Sequence, residues 1–218
     1  MEYKVKSICL FILLFITGFP QFGTCRNLHL IDQLPNGFKI YRSGVPDEDD
    51  LLEYAKRGIR EIAVLSGDAD THELKYKKLV PRLKVVYNED QDGNESLNAS
   101  FLQWFDSWVE NARAKGKIIA IRCYCGCHRT GRLAAYYQMK YMQMPVDDAI
   151  EIMMKLGKGM HMHPYLSEQV KSLEDYILNR PCSQEPEYCV INDLPVNTGK
   201  TSETPSTKKS PGRKETRK

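Results

Sequence analysis

The 218-residue sequence lacks long apolar runs, strong net charge and internal repeats, and each absence removes a class of protein. Its N-terminal apolar run, residues 8–19, is short of the roughly 20 residues that a membrane-spanning helix needs, which makes a retained transmembrane helix the weaker reading of it. The formal net charge is only +3, with much of the positive charge held in residues 200–218, which implies no nucleic-acid partner. No repeat is visible between Asn27 and Pro181, so repeat architectures are set aside. What is present is an ordinary globular composition, 42% hydrophobic and 27% charged, sufficient for one core domain with appendages.

Lys4 and Lys6 precede the apolar run and a small-residue region ends at Cys25, so residues 1–25 read as a secretory signal peptide. Two processing readings stand: plain cleavage, or lipidation of Cys25 after Phe22-Gly23-Thr24, which would give a lipid anchor and the chain's one membrane contact. Either predicts a secreted, periplasmic or envelope-bound protein. Cys182 and Cys189, beside Pro181 and Pro186, either close a small disulfide loop in an oxidising compartment or stay free. The expected domain is 27–181. Residues 182–218 form an extension whose end, TGKTSETPSTKKSPGRKETRK, cannot bury enough apolar surface to offset its ordering entropy and is read as disordered.

Inside the domain, strands and helices alternate. Pro46-Asp47 opens a helix with Leu51, Leu52 and Ala55 on one face and Gly58 as its stop. Residues 59–65 are β-branched and apolar, a buried strand; Asp70 caps a short helix through Lys78, and residues 83–86 give another strand. From Leu97, the residues Phe101, Trp104, Phe105, Trp108, Val109 and Ala112 recur at helical spacing, predicting a long amphipathic helix that ends near Gly116. Residues 117–122 form a central strand, Leu133, Tyr137 and Tyr141 mark the next helix, and two more helices cover about 146–155 and 165–178. The predicted class is α/β, with a central, mainly parallel sheet flanked by helices.

The chemistry concentrates between that central strand and the helix after it, in Cys123-Tyr124-Cys125-Gly126-Cys127-His128-Arg129-Thr130-Gly131. A loop that leaves a strand and enters a helix N-terminus aims backbone N–H groups and the positive end of the helix dipole at one point, where an anion binds. Gly126 lets the backbone turn and approach a ligand, and Arg129 brings a planar fork that matches two phosphate oxygens. The same field is expected to lower the pKa of Cys123 toward the reactive thiolate. Residues Tyr124 to Arg129 then form the substrate-binding loop around the Cys123 nucleophile.

This sequence resembles the cysteine-dependent phosphatases of the protein-tyrosine and dual-specificity superfamily, whose signature is Cys, five residues and Arg, with an internal Gly and a following Ser or Thr. Cys123, Gly126, Arg129 and Thr130 match it, and Tyr41-Arg42-Ser43-Gly44-Val45-Pro46 and Gly58-Ile59-Arg60 look like the N-terminal part of the compact members. The resemblance implies a dual-specificity-phosphatase-like fold and needs no cofactor. It also implies attack by the Cys123 thiolate on phosphorus, a phosphocysteine intermediate, and Thr130 donating its hydroxyl to Cys123. It further implies an aspartic acid about 30 residues upstream that protonates the leaving alcohol. Asp92 is preferred for that role, with Asp90 as the other candidate in Asn88-Glu89-Asp90-Gln91-Asp92-Gly93. Histidine is usual where Arg122 stands, which leaves the partner of Arg122 open.

The resemblance leaves two substrate classes, an inositol polyphosphate, as for enzymes similar to cysteine phytases, or a phosphotyrosine, phosphoserine or phosphothreonine protein. Arg122, His128, Lys155 and Lys158 would suit the former if they converge. Two other readings compete: a phosphate-binding pseudoenzyme on the same fold, and a metal module built from Cys123, Cys125, Cys127 and His128. The one-residue spacing in a tight loop points such ligands apart, and no second Cys or His pair stands at matching spacing. Cys125 and Cys127 either protect an oxidised Cys123 by disulfide formation or are simply small loop residues.

Overall fold

The computed structural model describes residues 27–194; the segment read as a signal peptide, with Cys9 and Cys25, and the basic tail lie outside the described residues. Five strands, β1 (His29–Gln33), β2 (Lys39–Ser43), β3 (Glu61–Val64), β4 (Lys84–Asn88) and β5 (Ile118–Arg122), form one sheet in the order β1-β2-β5-β3-β4. Pairing is parallel between β2 and β5, β5 and β3, and β3 and β4, and antiparallel between β1 and β2. The predicted α/β class with a mainly parallel sheet is therefore observed. β1 was not foreseen: its HLIDQ segment is largely exposed at the sheet edge and carries little apolar patterning.

The sheet is covered on both faces by α1 (Glu48–Arg57), α2 (Ala99–Ala114), α3 (His128–Met142), α4 (Val146–Leu156) and α5 (Tyr165–Ile177). Alternation along β5 shows how one strand serves two cores: Ile119 and Ile121 join the cluster with Phe105, Leu133 and Leu166, while Ala120 joins Leu51, Tyr54 and Ile62 on the other side. α1 begins where the sequence says, with a reciprocal cap in which the Asp47 side chain accepts from Asp50 N–H (2.9 Å) and the Asp50 side chain accepts from Asp47 N–H (3.2 Å). Gly58 ends it in the left-handed region at φ 80°.

The short helix expected from Asp70 to Lys78 is a correction. Only a 3-10 turn forms, Ala69–Thr71, and Asp68, at its N-cap, makes no side-chain capping bond. Asp68 and Glu73 are turned inward to Arg122 instead, so this segment wraps a buried guanidinium and loses the cap that would start a regular helix. Among the described residues, no helix is long and apolar enough to cross a membrane.

Candidate active site

β5 lies at the centre of the sheet and α3 follows it, so the connecting loop sits at the carboxyl end of the strands. That is where ligands bind in open α/β sheets. Three residues hold the loop from below. Arg42, buried at the end of β2, donates to the Gly126 carbonyl (2.6 Å) and the Cys127 carbonyl (3.4 Å). Asn27 donates to the same Gly126 carbonyl (2.8 Å), and Val45 N–H donates to the Tyr124 carbonyl (2.9 Å). Gly126 has φ +69°, and a Cβ there would lie 2.5 Å from the Ser43 carbonyl carbon, so no other residue fits.

The backbone donors converge on sulfur. Thr130 N–H and its hydroxyl act on Cys123, His128 N–H acts on Cys125, and Cys127 N–H donates to the Cys125 sulfur at 3.1 Å. These donors surround a nest of thiols with Cys123, 2% exposed, at its floor. Thr130 is fully buried and its hydroxyl has no hydrogen-bond partner among the described residues, while its proximity pulls the Cys123 thiol down.

The charge distribution in the nest corrects the expectation that Cys123 is the lowered thiol. Contact with the Cys125 side chain, followed by burial, pushes the Cys123 thiol up, against the downward pull of Thr130. Cys127 moves the other way, to about 6: a hydrogen bond from Cys125 is the largest cause, opposed by burial and assisted by Lys158 N–H and the Arg42 charge. The three thiols act on one another, so their deprotonation is a property of the group and not of one sulfur. Helix dipole and arginine alone, the basis of the sequence argument, omit this competition.

Arg129 donates to the Leu65 carbonyl (2.9 Å) and pairs with Asp90, whose side chain is 71% exposed. Asp92 lies on the same loop, exposed, with its carboxylate accepting from Asn94 N–H at 2.8 Å. That loop is fixed by residues the sequence reading did not single out. Arg132, 1% exposed on α3, donates to the Glu95 and Asp92 carbonyls and to Gln169, which in turn donates to the Asn94 carbonyl (2.9 Å). Arg42 and Arg132 were detectable as arginines in an otherwise apolar setting, one inside the Tyr-Arg-Ser-Gly segment and one in the helix after the loop.

The proposed cationic cluster forms only in part: the Lys158 N–H reaches Cys127 and His128 stays at the loop, whereas Arg122 turns away. Arg122 is fully buried and donates to Glu73 (2.7 Å), Ser66 (2.8 Å) and Asp68, so its charge faces carboxylates below the loop. Lys155 is exposed on α4. His128 does remain at the loop, its ring 4.3 Å from that of His163, with burial and His163 lowering its pKa. A cavity of about 570 Å³ opens beside Val45, with Asp47, Glu48, Asp49, His72 and Lys75 among its walls and none of residues 123–129. Among the described residues, no group of three or more His, Cys, Asp or Glu side chains is placed to hold a metal ion.

Similarity to known proteins points the same way. No curated protein matches the sequence. Solved structures with the same fold include TpbA of P. aeruginosa, 18% identical with TM-score 0.50, covering 64% of this chain and 86% of that one. They also include the active form of Tk-PTP, 20% identical with TM-score 0.52, covering 68% and 97%. A third is PTPMT1 in complex with PI(5)P, 15% identical with TM-score 0.53, covering 70% and 97%. The sequence matches the family described as dual specificity phosphatase, catalytic domain, over residues 55–176, more than half of the chain and inclusive of the whole Cys123–Arg129 loop. The chain is a phosphatase belonging to the dual specificity phosphatase family.

Proposed function

We propose that the protein hydrolyses phosphomonoesters through a phosphocysteine on Cys123, with Arg129 and the loop N–H groups neutralising the transferred phosphoryl group and Asp92 protonating the leaving oxygen. The observation that carries this reading is the convergence of Thr130, His128 and Cys127 N–H groups on the thiols at the start of α3. In the first step the Cys123 sulfur forms a bond to phosphorus as the phosphorus–oxygen ester bond breaks, and the Asp92 proton goes to the departing alkoxide. In the second, Asp92 takes a proton from water, whose oxygen displaces the sulfur and releases phosphate. Thr130 is then the donor that stabilises the leaving thiolate.

A phosphorylated tyrosine, serine or threonine side chain fits this site better than an inositol polyphosphate. Arg122 is neutralised internally, and the cavity beside Val45 carries Asp47, Glu48 and Asp49 against Lys75 and His72, a net acidic wall that disfavours a polyanion. TpbA has been solved with pTyr and PTPMT1 with PI(5)P, so the fold admits both a side-chain ester and an inositol lipid. The Cys182–Cys189 disulfide supports an exported protein, since such bonds persist in oxidising compartments.

Cys123→Ser should abolish turnover while phosphate or vanadate still binds; retention of a tenth of wild-type activity would exclude the covalent route. Kinetics on a panel of phosphopeptides and inositol phosphates tests the substrate class, which is wrong if kcat/KM is greatest for a hexakis- or pentakisphosphate.

A further inference from the structure

Beyond α5 the chain does not simply leave the domain. Asp175, 4% exposed, accepts from Ser183 N–H (2.8 Å) and the Ser183 hydroxyl (2.7 Å) and pairs with Arg180 (2.8 Å), which fixes the direction of exit. Cys182 and Cys189 close a disulfide around the 3-10 turn Pro186–Tyr188. The chain then runs beside the segment that joins the Asp92 loop to α2. The Glu187 carbonyl accepts from the Ser96 hydroxyl (3.1 Å), and Ile191 N–H donates to the Leu97 carbonyl (3.0 Å). The Ile191 carbonyl accepts from Ala99 N–H (2.8 Å), and Asp193 accepts from Ser100 N–H (2.9 Å) and from the Ser100 hydroxyl.

These contacts do what a local cap normally does. Asn98 is the N-cap of α2 but makes no side-chain capping bond. The first N–H groups of a helix have no partner within it, and here Ala99 and Ser100 N–H find theirs on the extension. The Asp193 carboxylate also complements the positive end of the α2 dipole, and the Ser100 donors hold its carboxyl below the usual range. Upstream, Arg132 and Gln169 grip the loop at Asp92, Asn94 and Glu95. The loop is therefore held at its body by α3 and α5, and at its downstream end by a segment outside the sheet and its helices.

We propose that the disulfide-closed extension, residues 182–194, is a positioning strap for the proton-donor loop: it caps α2 from outside and fixes where the loop ends, so that reducing Cys182–Cys189 loosens the delivery of the proton. The inference rests on the reading of Asp92 as that donor. The strap residues are positioning residues, since none touches the reacting atoms. An oxidising compartment that keeps the disulfide closed would keep the loop set, and loss of the disulfide would slow turnover without touching Cys123.

The test compares the full chain with a Cys182→Ser/Cys189→Ser variant and with Asp193→Asn, which leaves the disulfide intact should the double variant fold poorly. Turnover is measured on an alkyl phosphate and on p-nitrophenyl phosphate, whose leaving group needs little protonation. The strap predicts a loss of roughly three- to tenfold in kcat on the alkyl ester, as expected for a small misplacement of a catalytic group. It predicts little change on the activated ester and faster amide exchange at residues 97–102. In an Asp92→Asn background the strap variants should add no further leaving-group dependence. Equal losses on both esters, or none on either, would overturn the strap while leaving the donor standing, provided Asp92→Asn is itself leaving-group dependent. If Asp92→Asn is not, the donor assignment falls and the strap falls with it.

Discussion

Arg122 and Arg129 flank the same loop, yet they occupy opposite situations. Arg122, at the end of β5, has no exposed side-chain surface and meets Glu73, Asp68 and Ser66. Burial alone would lower its pKa, but the hydrogen bonds and charge of Glu73, with those of Asp68, carry it above the ordinary value. Arg129, at the start of α3, keeps 23% of its side chain exposed and has one carboxylate partner, itself mostly in water. A saturated cation in a closed pocket holds structure together; a cation with an exchangeable surface partner remains available to phosphate. The two arginines thus separate scaffold from chemistry within one short loop.

The contrast breaks first at Arg129. Arg129→Ala should lower kcat by roughly 10³–10⁵-fold, the range seen when an arginine that neutralises a transferred phosphoryl group is removed, with little change in melting temperature. If the two effects were reversed, with stability lost and turnover kept, the assignment of roles would be wrong. Next in size is Asp92→Asn, expected to lower kcat by about 10²–10⁴-fold on esters with poor leaving groups and much less on an activated aryl phosphate. A uniform loss on both would place the proton elsewhere.

Arg122 tests the other half. Arg122→Ala leaves Glu73 buried and uncompensated, and should destabilise the fold by about 3–5 kcal/mol in chemical denaturation. Arg122→Met combined with Glu73→Leu should recover most of that, because exchanging a buried ion pair for apolar side chains is often neutral or stabilising. Protein that folds with the double change should turn over substrate near the wild-type rate. A catalytic deficit as large as that of Arg129→Ala would show that Arg122 acts on the phosphoryl group after all.

What the sequence made legible follows the same division. The strand–loop–α3 unit, the capped α1 and the aromatic stripe of α2 are written in local spacing, and all appear close to where they were expected. The partner of Arg122 is not local: Glu73 lies 49 residues away and meets it only because β5 and β3 pair in parallel. The same holds for the extension at α2, where Asp193 reaches Ser100 across 93 residues. Asp90 and Asp92 were both visible as candidates, but that Asp90 pairs with Arg129 depends on how the end of β4 lies against the loop. Site residues announce themselves by type and spacing, whereas the groups that hold them are chosen by the fold.

The group of three thiols offers a finer probe of the Cys123 end of the loop. Because contact with Cys125 is the largest upward influence on Cys123, Cys125→Ala should move the rising limb of the kcat/KM profile toward lower pH. The sign follows from chemistry: the thiolate attacks, so a thiol that holds its proton more tightly delays activity to higher pH, and relieving it advances activity. A limb that stays in place would mean that the ionisation governing it lies outside the three thiols.

The smallest effect concerns the partner that makes Arg129 exchangeable. In the free protein Asp90 occupies the guanidinium that phosphate must engage, so binding breaks one ion pair to make another. Because the Asp90 side chain is 71% exposed, water and salt weaken the pair, and contacts of this kind are worth about 0.2–1 kcal/mol. Asp90→Asn should therefore tighten vanadate or phosphate binding by at most roughly fivefold, leave kcat on poor leaving groups nearly unchanged, and lose its advantage as ionic strength rises. Titration of vanadate at low and high salt reads all of this directly. A large, leaving-group-dependent fall in kcat would instead make Asp90 the proton donor, and weaker binding would mean that Asp90 holds Arg129 in its working orientation.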